Sequence, residues 1–397
     1  MTTSVPFGSL LSKIIDNRGK TCPTSETGIP LIATNCVKNE HLYPVYEKVR
    51  YVRQEVYDSW FRGHPEPGDL IFVLKGTPGR VNWVNNPVDF CIAQDMVALR
   101  VDENKVYPKY LFAVLRSSQI QQEIEGLHVG SLIPHFKKSD FDDLQIPLVE
   151  EKLQKYIGDV YFNLSLKIDL LHRQNKTLEA MAETLFRQWF IEEAREDWNE
   201  TKVLDVFSLV GGGTPKTSEA SYWDGDIPWL SGGDIANAHQ GFIVKAEKSI
   251  TEFGLQKSST KLLPKLASVI SARGTVGKYA MLSKPMTFSQ SNYGIVPKEH
   301  THYYFVYLLL AYIVDELSAA AYGSVFDTIT TRTFEDVVLK LPSMDSIAEF
   351  ESEIAPLFEK KLNNVEQIQT LENLRDTLLP KLMSGEVRVQ YPIEDVA

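Results

Sequence analysis

The chain has 397 residues, 43% of them hydrophobic, and a formal net charge of −11 at pH 7. This length is too great for one ordinary domain, and the hydrophobic content is enough for two or more buried cores, so we expect two to four domains. The three cysteines are widely spaced and form no CxxC pair, which excludes a disulfide framework and a cysteine-ligated metal. They are Cys22, Cys36 and Cys91.

The sequence shows no export or membrane signal. Residues 1–11 lack a basic segment followed by a long apolar run, and no window approaches about 18 uninterrupted apolar residues. Together with the cysteine usage, this predicts a soluble, cytoplasmic protein.

The negative charge is concentrated in two segments. Residues 1–149 carry 16 basic and 17 acidic groups, and residues 201–342 carry 13 of each. Residues 150–200 carry 7 basic against 11 acidic groups, and residues 343–397 carry 5 against 11. Because phosphate binding needs lysine and arginine, any surface for nucleic acid is expected in the two neutral segments.

The chain contains an internal repeat. The string IPLIATNCVKN resembles IPWLSGGDIAN 198 residues later, and KGTPGR resembles RGTVGK at the same offset. LQIPL then matches LKLPS at an offset of 195, and TLEAMAETL matches TLENLRDTL at 193. Four matches in one order, with a slowly drifting offset, indicate two copies of a unit of about 195 residues.

The first part of each copy has the pattern of a mixed α/β globule. Residues 69–74 and 91–101 are short runs of β-favouring residues bounded by Gly, Pro or Asn, and ASVISA in copy two has the same character. Residues 110–124 have the pattern of a short helix. The fold class predicted for both copies is α/β in the broad sense (α+β), with polar, glycine-rich loops between the strands.

The second part of each copy has the heptad pattern of a long helix. The predicted division is globule 1–149, central helix 150–200, globule 201–342, C-terminal helix 343–385 and tail 386–397. At about 1.5 Å per residue, each helix is roughly 60 Å long. The leading seam positions are Leu164, Leu171, Leu178, Leu357, Leu371 and Leu378, with Ile157, Leu185 and Phe350 continuing the pattern.

A lone helix of this length with an apolar stripe needs a partner helix. The two helices are therefore predicted to pair as an antiparallel coiled coil, with a globule at each end and approximate two-fold symmetry. Polar seam residues Asn175, Lys361 and Asn364 would fix the register. The alternative is that each helix packs only on its own globule.

These segments together resemble the DNA-specificity subunit of type I restriction-modification enzymes, over nearly the whole chain. Residues 210–235 resemble the opening of a target-recognition domain, 273–282 its GxxG loop, 181–191 the central spacer helix and 382–389 the tail. The family often has a Pro-Pro pair and a Glu-Gln pair at the entrance to each spacer helix. In this chain the two entrances are residues 146–157 and 341–350, and neither contains these pairs. That departure concerns how the entrances pack on partner subunits.

The twin glycine loops are the principal candidates for DNA contact. Glycine lets backbone N–H groups approach phosphate closely, and arginine or lysine either neutralises phosphate or reads guanine. The alternative is a plain turn with solvated charges. A smaller basic cluster at His135, Lys137 and Lys138 has no clear twin. The candidate DNA-binding residues are Lys75, Thr77, Arg80, Lys216, Ser231, Arg273, Thr275, Lys278 and Tyr279.

Catalytic and nucleotide sites are not indicated. In GGGTPKT, Pro215 stands where a phosphate-binding loop needs glycine, and in RGTVGKY, Tyr279 replaces the hydroxyl residue that would hold magnesium. No methyltransferase strings occur. The acidic residues near Lys152 lie at a helix entrance, where acids are favoured anyway, and the eight histidines are scattered. No metal site or catalytic residue is predicted.

The resemblance implies a non-catalytic subunit that recognises an asymmetric two-part DNA target. Its partners would be double-stranded DNA, two methyltransferase subunits and restriction subunits, and S-adenosylmethionine, ATP and magnesium would be bound by those partners. Aromatic residues Phe186, Trp189 and Phe190 are predicted to contact a partner, because they exceed what a coiled coil needs. The rival hypothesis is a duplicated coiled-coil scaffold that binds proteins without recognising DNA.

Overall fold

The structure, a computed structural model, describes residues 3–17, 20–127, 134–322 and 328–387. The chain divides into two compact units. Unit 1 contains the residues up to Leu171 and those from Ile368 onward, and unit 2 is His172–Gln367. Each boundary falls inside one of the long helices, so each helix contributes one half to each unit.

Unit 1 begins with short strands and helices and ends in a long helix. Short 3₁₀ turns lie at Phe7–Leu10, Thr34–Cys36 and Lys138–Phe141. The other elements are β1 (Thr3–Pro6), β2 (Leu11–Asp16), β3 (Ile29–Ile32), β4 (Arg50–Val52), α1 (Gln54–Trp60), β5 (Leu70–Val73), β6 (Val81–Trp83), β7 (Cys91–Ile92), β8 (Met96–Val101), α2 (Pro108–Leu115), α3 (Ser118–Gly126), β9 (Gln145–Leu148) and α4 (Glu151–Arg187).

The sheets of unit 1 place β5 at the centre. An antiparallel four-stranded sheet has the order β2-β8-β5-β6, and a three-stranded sheet has the order β4-β3-β7 with β3 and β7 parallel. Strand β1 pairs with β9 next to the start of α4. All four side chains of β5 are buried because one face packs on α2 and α3 and the other on the three-stranded sheet.

Unit 2 repeats this series of elements. They are β10 (Asn199–Lys202), α5 (Val203–Val206), β11 (Phe207–Gly211), β12 (Trp223–Leu230), α6 (Gly232–Asn237), β13 (Phe242–Ile243), β14 (Lys248–Ile250), α7 (Glu252–Gln256), β15 (Ser268–Ser271), β16 (Tyr279–Leu282), β17 (Thr287–Phe288), β18 (Asn292–Pro297), α8 (Tyr303–Tyr322), α9 (Thr331–Glu335), β19 (Val338–Leu341) and α10 (Met344–Ser384).

The sheet topology confirms the duplication. The order β11-β18-β15-β16-β13 corresponds strand for strand to β2-β8-β5-β6, with β13 added at the edge. The order β14-β12-β17 corresponds to β4-β3-β7, and the pair β10-β19 corresponds to β1-β9. In both three-stranded sheets the second pair is parallel. Two sequences that differ at most positions therefore form one mixed α/β architecture twice.

Two predicted elements are interrupted. The predicted helix 110–124 is two helices, because the chain turns at Arg116 and the Ser117 hydroxyl caps α3 by accepting a hydrogen bond from the Ile120 N–H (3.4 Å). The predicted run 91–101 is two strands, β7 and β8, separated by a turn in which Asp95 has φ of 73°. Local apolar content predicted both elements but not their breaks.

Helix α8 is the core helix of unit 2. Of the helices in the described ranges, it alone has the length and apolar composition to cross a membrane, with a mean hydropathy of 1.5 over Tyr303–Ala321. More than half of that window (56%) is buried within the unit. Phe305, Leu309 and Leu310 are fully enclosed in the hydrophobic core. The apolar composition of α8 is thus explained by packing against the five-stranded sheet.

Within unit 1, the two long helices pair antiparallel. Ile157 and Tyr161 near the start of α4 pack with Leu379 and Leu382 near the end of α10. Further along, a second cluster contains Ile168, Leu171, Ile368 and Leu371. Leu171 is buried, whereas Leu164, Leu371 and Leu378 are half-buried. The predicted pairing is confirmed here, and both helices also pack on the globule of their unit.

Within unit 2, the helices pair in the same antiparallel sense. The ring of Phe190 on the π-helical turn Gln188–Glu192 that continues α4 lies 4.8 Å from the ring of Phe350 near the start of α10. Leu357 packs at the edge of this cluster, and Leu178 is half-buried. The central helix was predicted to extend to residue 200. It ends earlier, because Asn199–Lys202 forms strand β10, which pairs with β19.

The three polar seam residues are buried. The Asn364 side chain donates to Asn175 Oδ1 and Gln174 Oε1, each at 2.8 Å. Lys361 is paired with Glu179 at 3.0 Å. Helix α10 ends at Ser384, close to the predicted end, while most of the predicted tail, residues 388–397, lies outside the described residues.

Candidate nucleic-acid interface

The twin glycine loops are hairpin turns at equivalent places in the two units. Loop A is Lys75–Arg80, between β5 and β6, and loop B is Arg273–Lys278, between β15 and β16. In loop A the Gly79 N–H donates to the Val73 carbonyl, and in loop B the Gly277 N–H donates to the Ser271 carbonyl, both at 3.0 Å. The sequence match thus reflects one backbone conformation used twice.

All four loop glycines have positive φ. The angles are 86° and 89° in loop A and 79° at both positions of loop B. Side chains other than glycine rarely adopt this conformation. The second glycine of each loop also lies against a helix: a Cβ on Gly79 would lie 3.2 Å from the Gln121 side chain, and one on Gly277 would lie 2.3 Å from Ser318 Oγ.

The loop cations are available to a ligand. Arg273 is exposed, and Lys75, Arg80 and Lys278 are half-buried. In the described part of the chain, none of the four takes part in an ion pair. Cations held on a rigid turn without a carboxylate partner suit an anionic ligand.

Loop B is joined to the start of α6. The Thr275 hydroxyl lies 2.9 Å from Ser271 Oγ and donates to the Gly232 carbonyl at 3.3 Å. Ser231 caps α6 through a reciprocal hydrogen-bond pair with Asp234. The predicted residues Ser231, Arg273, Thr275 and Lys278 are therefore brought together by the fold of unit 2.

The loop that carries Lys216 approaches the same region. A Cβ on Gly212 would lie 2.1 Å from the Ser289 carbonyl, so only glycine fits. Thr214 hydrogen-bonds Gln290, and the Ala272 N–H donates to the Ser291 carbonyl at 2.9 Å. Residues 289–291 thus link this loop to loop B. Lys216 itself is exposed and lies 3.4 Å from Glu219.

Two polar residues of this region were missed by the sequence interpretation. Asn292 is 1% exposed, and its side-chain amide donates to Ser289 Oγ at 2.8 Å. Gln290 is exposed beside Thr214. Neither lies in a recognisable motif. The position in copy one that corresponds to Asn292 is Met96, so the repeat gave no signal for Asn292. Gln290 does have a counterpart, Gln94, at the same offset of 196, and this signal was missed.

The assignment of Tyr279 as a DNA contact is wrong. Tyr279 is 1% exposed, and its ring lies 5.5 Å from that of Tyr307 in the core of unit 2. Burial raises the pKa of its hydroxyl above the ordinary value. The residue follows Lys278, but it is the first residue of β16 and its side chain points to the buried face.

Loop A lies beside the basic cluster identified in copy one. The Gly76 N–H donates to the Pro134 carbonyl at 3.0 Å, and the Phe136 N–H donates to the Leu74 carbonyl at 2.8 Å. His135 lies opposite Lys75, and Lys138 forms an ion pair with Asp16. The cluster is therefore part of the surroundings of loop A.

This cluster does have a structural twin, contrary to the sequence interpretation. In unit 2 the Ile329 N–H donates to the Ala272 carbonyl at 3.1 Å, as Phe136 does to Leu74 in unit 1. The twin segment, Thr328–Thr331, has threonines where copy one has histidine and lysines. Because the side chains differ in chemistry, sequence comparison could not detect the equivalence.

The predicted partner contact of two aromatic residues is also wrong. Phe186 and Phe190 are each 3% exposed and lie in the core of unit 2, where Phe190 packs 5.0 Å from Phe305. Trp189 is half-buried and lies 5.5 Å from the Phe350 ring. The aromatic excess at the end of α4 is explained by docking of the helix on its own unit.

The geometry of unit 1 and unit 2 agrees with a known family. Residues 15–180 and 195–374 match the family described as the type I restriction modification DNA specificity domain. The chain belongs to this family. Its role is to provide DNA sequence specificity, and the scaffold hypothesis is not favoured.

Similar proteins support this assignment. The chain is 24% identical to the MjaIX specificity subunit of Methanocaldococcus jannaschii, covering 91% of this chain and 87% of that one. It is 23% identical to the HindI specificity subunit of Haemophilus influenzae, covering 81% and 86%. The crystal structure of a type I system S subunit from M. genitalium has the same fold, with a TM-score of 0.61, 16% identity and 96% of each chain covered. Family membership implies DNA and methyltransferase subunits as partners.

Proposed function

We propose that unit 1 and unit 2 each read one half of a two-part DNA target. The observation that carries this proposal is the pair of loops A and B, which combine the same glycine conformation with unpaired cations at equivalent positions of two copies. Backbone N–H groups and cations position a protein on phosphate, and side chains around them reach base edges. The candidate contacts are Lys75, Thr77, Arg80, Lys216, Ser231, Arg273, Thr275 and Lys278.

The two halves of the target are expected to differ. His135 adds a histidine beside loop A, whereas Thr328 occupies the twin position near loop B. Ser231 and the short helix α6 adjoin loop B, whereas unit 1 has a 3₁₀ turn at Thr34–Cys36 in that place. Different hydrogen-bonding groups around one scaffold give an asymmetric target with an unread spacer.

The paired helices are the proposed docking surface for two methyltransferase subunits. Their segments hold most of the acidic excess, which disfavours DNA contact there. Exposed apolar side chains on the helices, unlike the buried Phe186 and Phe190, are free for a partner: Leu170 is 47%, Met181 48% and Leu374 49% exposed. Restriction subunits would join the complex. The chain itself is non-catalytic, cytoplasmic and without its own cofactor, and S-adenosylmethionine, ATP and magnesium belong to its partners.

The proposal is tested by mapping DNA methylation in cells that express this chain with its cognate methyltransferase. We expect adenine methylation at a new two-part motif that is absent when the methyltransferase is expressed alone. The double substitution Arg273→Ala/Lys278→Ala is expected to weaken DNA binding. It should also reduce the slope of log Kd against log salt concentration by about two.

The matched control is Lys202→Ala/Lys340→Ala, which removes the same charge from the exposed β10-β19 pair. It is expected to retain nearly all binding at physiological salt. Equal losses in both double variants would show a non-specific charge effect. A stable complex that methylates no new motif would contradict the proposed function.

A further inference from the structure

A buried lysine connects the long helices of unit 2 to its globule. The Lys361 side chain is 5% exposed and lies on α10. Its ammonium group forms an ion pair with Glu179 of α4 at 3.0 Å and donates a hydrogen bond to the Gln240 carbonyl at 2.7 Å. Gln240 belongs to the turn that follows α6, so one side chain bridges three separate segments.

The Gln240 turn is bonded to the strand that begins where loop B ends. The Gln240 N–H donates to the Tyr279 carbonyl at 2.9 Å, and Tyr279 directly follows Lys278. His239 lies on the same turn as Gln240, and its Nδ1 atom accepts a hydrogen bond from the Tyr279 N–H at 3.4 Å. A continuous set of hydrogen bonds therefore runs from Lys361 to the end of loop B.

Helix α8 forms a second connection within the same network. The Tyr307 hydroxyl lies 3.2 Å from Glu179 Oε1, and the Tyr307 ring packs on that of Tyr279. Tyr307 is 1% exposed. Its helix also carries Ser318, the neighbour of Gly277 in loop B. The carboxylate of Glu179 is thus shared between Lys361 and a helix that contacts the loop.

Stability alone does not explain an ion pair at this position. Removing two charges from water is costly, and well-packed apolar residues are often as stabilising as a buried pair. At the corresponding position of α4, 193 residues earlier, the chain has Ile168, which is 1% exposed in the seam of unit 1. An apolar residue is therefore sufficient for helix pairing, and the lysine serves another need.

Unit 1 holds the end of its own loop with a different buried cation. The Arg116 Nε group donates to the Val81 carbonyl at 2.9 Å, and Val81 directly follows Arg80 of loop A. Arg116 also donates to the His41 carbonyl, in the turn that corresponds to the one at Gln240. The correspondence follows from the next residue of each turn, because the Leu42 carbonyl accepts from the Trp83 N–H as the Gly241 carbonyl accepts from the Met281 N–H. Both units therefore place a buried cation against the same two segments, with unrelated residues.

We propose that Lys361 is a positioning residue for DNA recognition by unit 2: by holding the Gln240 turn, it fixes the end of loop B against the long helices. This inference rests on the proposed function. It assigns to a helix residue, outside the DNA-contacting loops, an effect on which bases unit 2 accepts. Burial lowers the pKa of the Lys361 ammonium, and the ion pair with Glu179 opposes that shift.

The test compares Lys361→Met with the double variant Lys361→Met/Glu179→Gln, each in complex with the methyltransferase. The single variant leaves the half-buried Glu179 carboxylate without its cation and is expected to lower thermal stability, whereas the double variant removes both charges and is expected to recover it. Discrimination at the unit 2 half-site, measured as methylation of the cognate sequence against single-base variants, should fall about tenfold in both.

A matched control distinguishes an effect on stability from an effect on the position of loop B. Asn175→Leu/Asn364→Leu removes the neighbouring polar seam pair, which has no bond to the Gln240 turn, and should leave discrimination at both half-sites unchanged. In the Lys361 variants, the unit 1 half-site should likewise be read as in the wild type.

Recovery of both stability and discrimination in the double variant would overturn the inference, because Lys361 would then matter only for folding. So would equal loss of discrimination at both half-sites. A wild-type complex that methylates no two-part motif would instead contradict the proposed function itself.

Discussion

Glu351 is a carboxyl group buried at the start of a helix. Its two oxygens accept hydrogen bonds from the backbone N–H groups of Tyr304 (2.9 Å) and Phe305 (2.7 Å), in the first turn of α8. These bonds favour the ionised form, but burial has the larger effect and raises the pKa of Glu351 to about 7. One side chain of α10 thereby anchors the core helix of unit 2.

This pKa predicts a pH-dependent stability of unit 2. The folded chain holds the Glu351 proton more tightly than the unfolded chain, whose pKa is near the ordinary 4.5. The contribution is therefore fully present below about pH 4.5 and is lost as the pH rises towards 7. Denaturant unfolding at several pH values should show this loss in the wild type and a smaller slope in Glu351→Gln. Identical slopes would contradict the assignment.

The two glycines of loop B are predicted to tolerate substitution unequally. Gly274→Ala places a Cβ in open space and costs only the strain of positive φ, about 1 kcal/mol. Gly277→Ala adds a contact with Ser318 Oγ and should cost about 2 kcal/mol or more. Chemical denaturation measures both. The double variant Gly277→Ala/Ser318→Ala should fall to the cost of Gly274→Ala, and no such relief would refute the steric explanation.

At the scale of elements, the sequence predicted the presence of the hairpins and helices but not the breaks within them. The glycine loops and the long helices were recognised because their signals are local: a GTxG string in one case and a seven-residue period in the other. The breaks within 110–124 and 91–101 were missed, since a serine cap and a single residue with positive φ are weak signals inside apolar runs.

The end of α4 is predicted to be part of the core of unit 2 rather than a partner surface. Phe190→Ala removes a ring packed between Phe305 and Phe350 and should lower the free energy of unfolding by about 3–5 kcal/mol. Met181→Ala, at an exposed position of the same helix, should change it by less than about 0.5 kcal/mol. Calorimetry or denaturant unfolding distinguishes them. Normal stability of Phe190→Ala with lost methyltransferase binding would restore the original hypothesis.

At the scale of the whole molecule, the duplication predicts separable specificities. Each globule has its own sheets, core and glycine loop, and loops A and B belong to different compact units. Recognition of one half-site should therefore be independent of the other.

Exchange of residues 201–342 for the corresponding segment of another family member tests this independence. Methylation mapping should show one half of the motif replaced and the other half kept. Exchange of residues 1–149 should give the reciprocal result. A change in both halves after either exchange would show that the two units do not read DNA separately.

The sequence alone determined four features of this protein. They are the duplicated organisation, the placement of acidic charge in the long helices, the antiparallel seam and the paired glycine loops. Each depends on residues that are close in the chain or recur at a fixed spacing. The predicted five-part division follows the same signals, but the boundaries of the two compact units fall within the helices.

Only the tertiary structure decided which side chains are available. Tyr279 and Phe190 are of residue types common in contact surfaces, yet both are buried. Tyr279 packs on Tyr307 of α8, and Phe190 packs between α8 and the start of α10. The bond from Lys361 to Gln240 joins residues 121 positions apart. Contacts between segments so distant in the chain depend on packing of the whole unit, and no local pattern of residues encodes them.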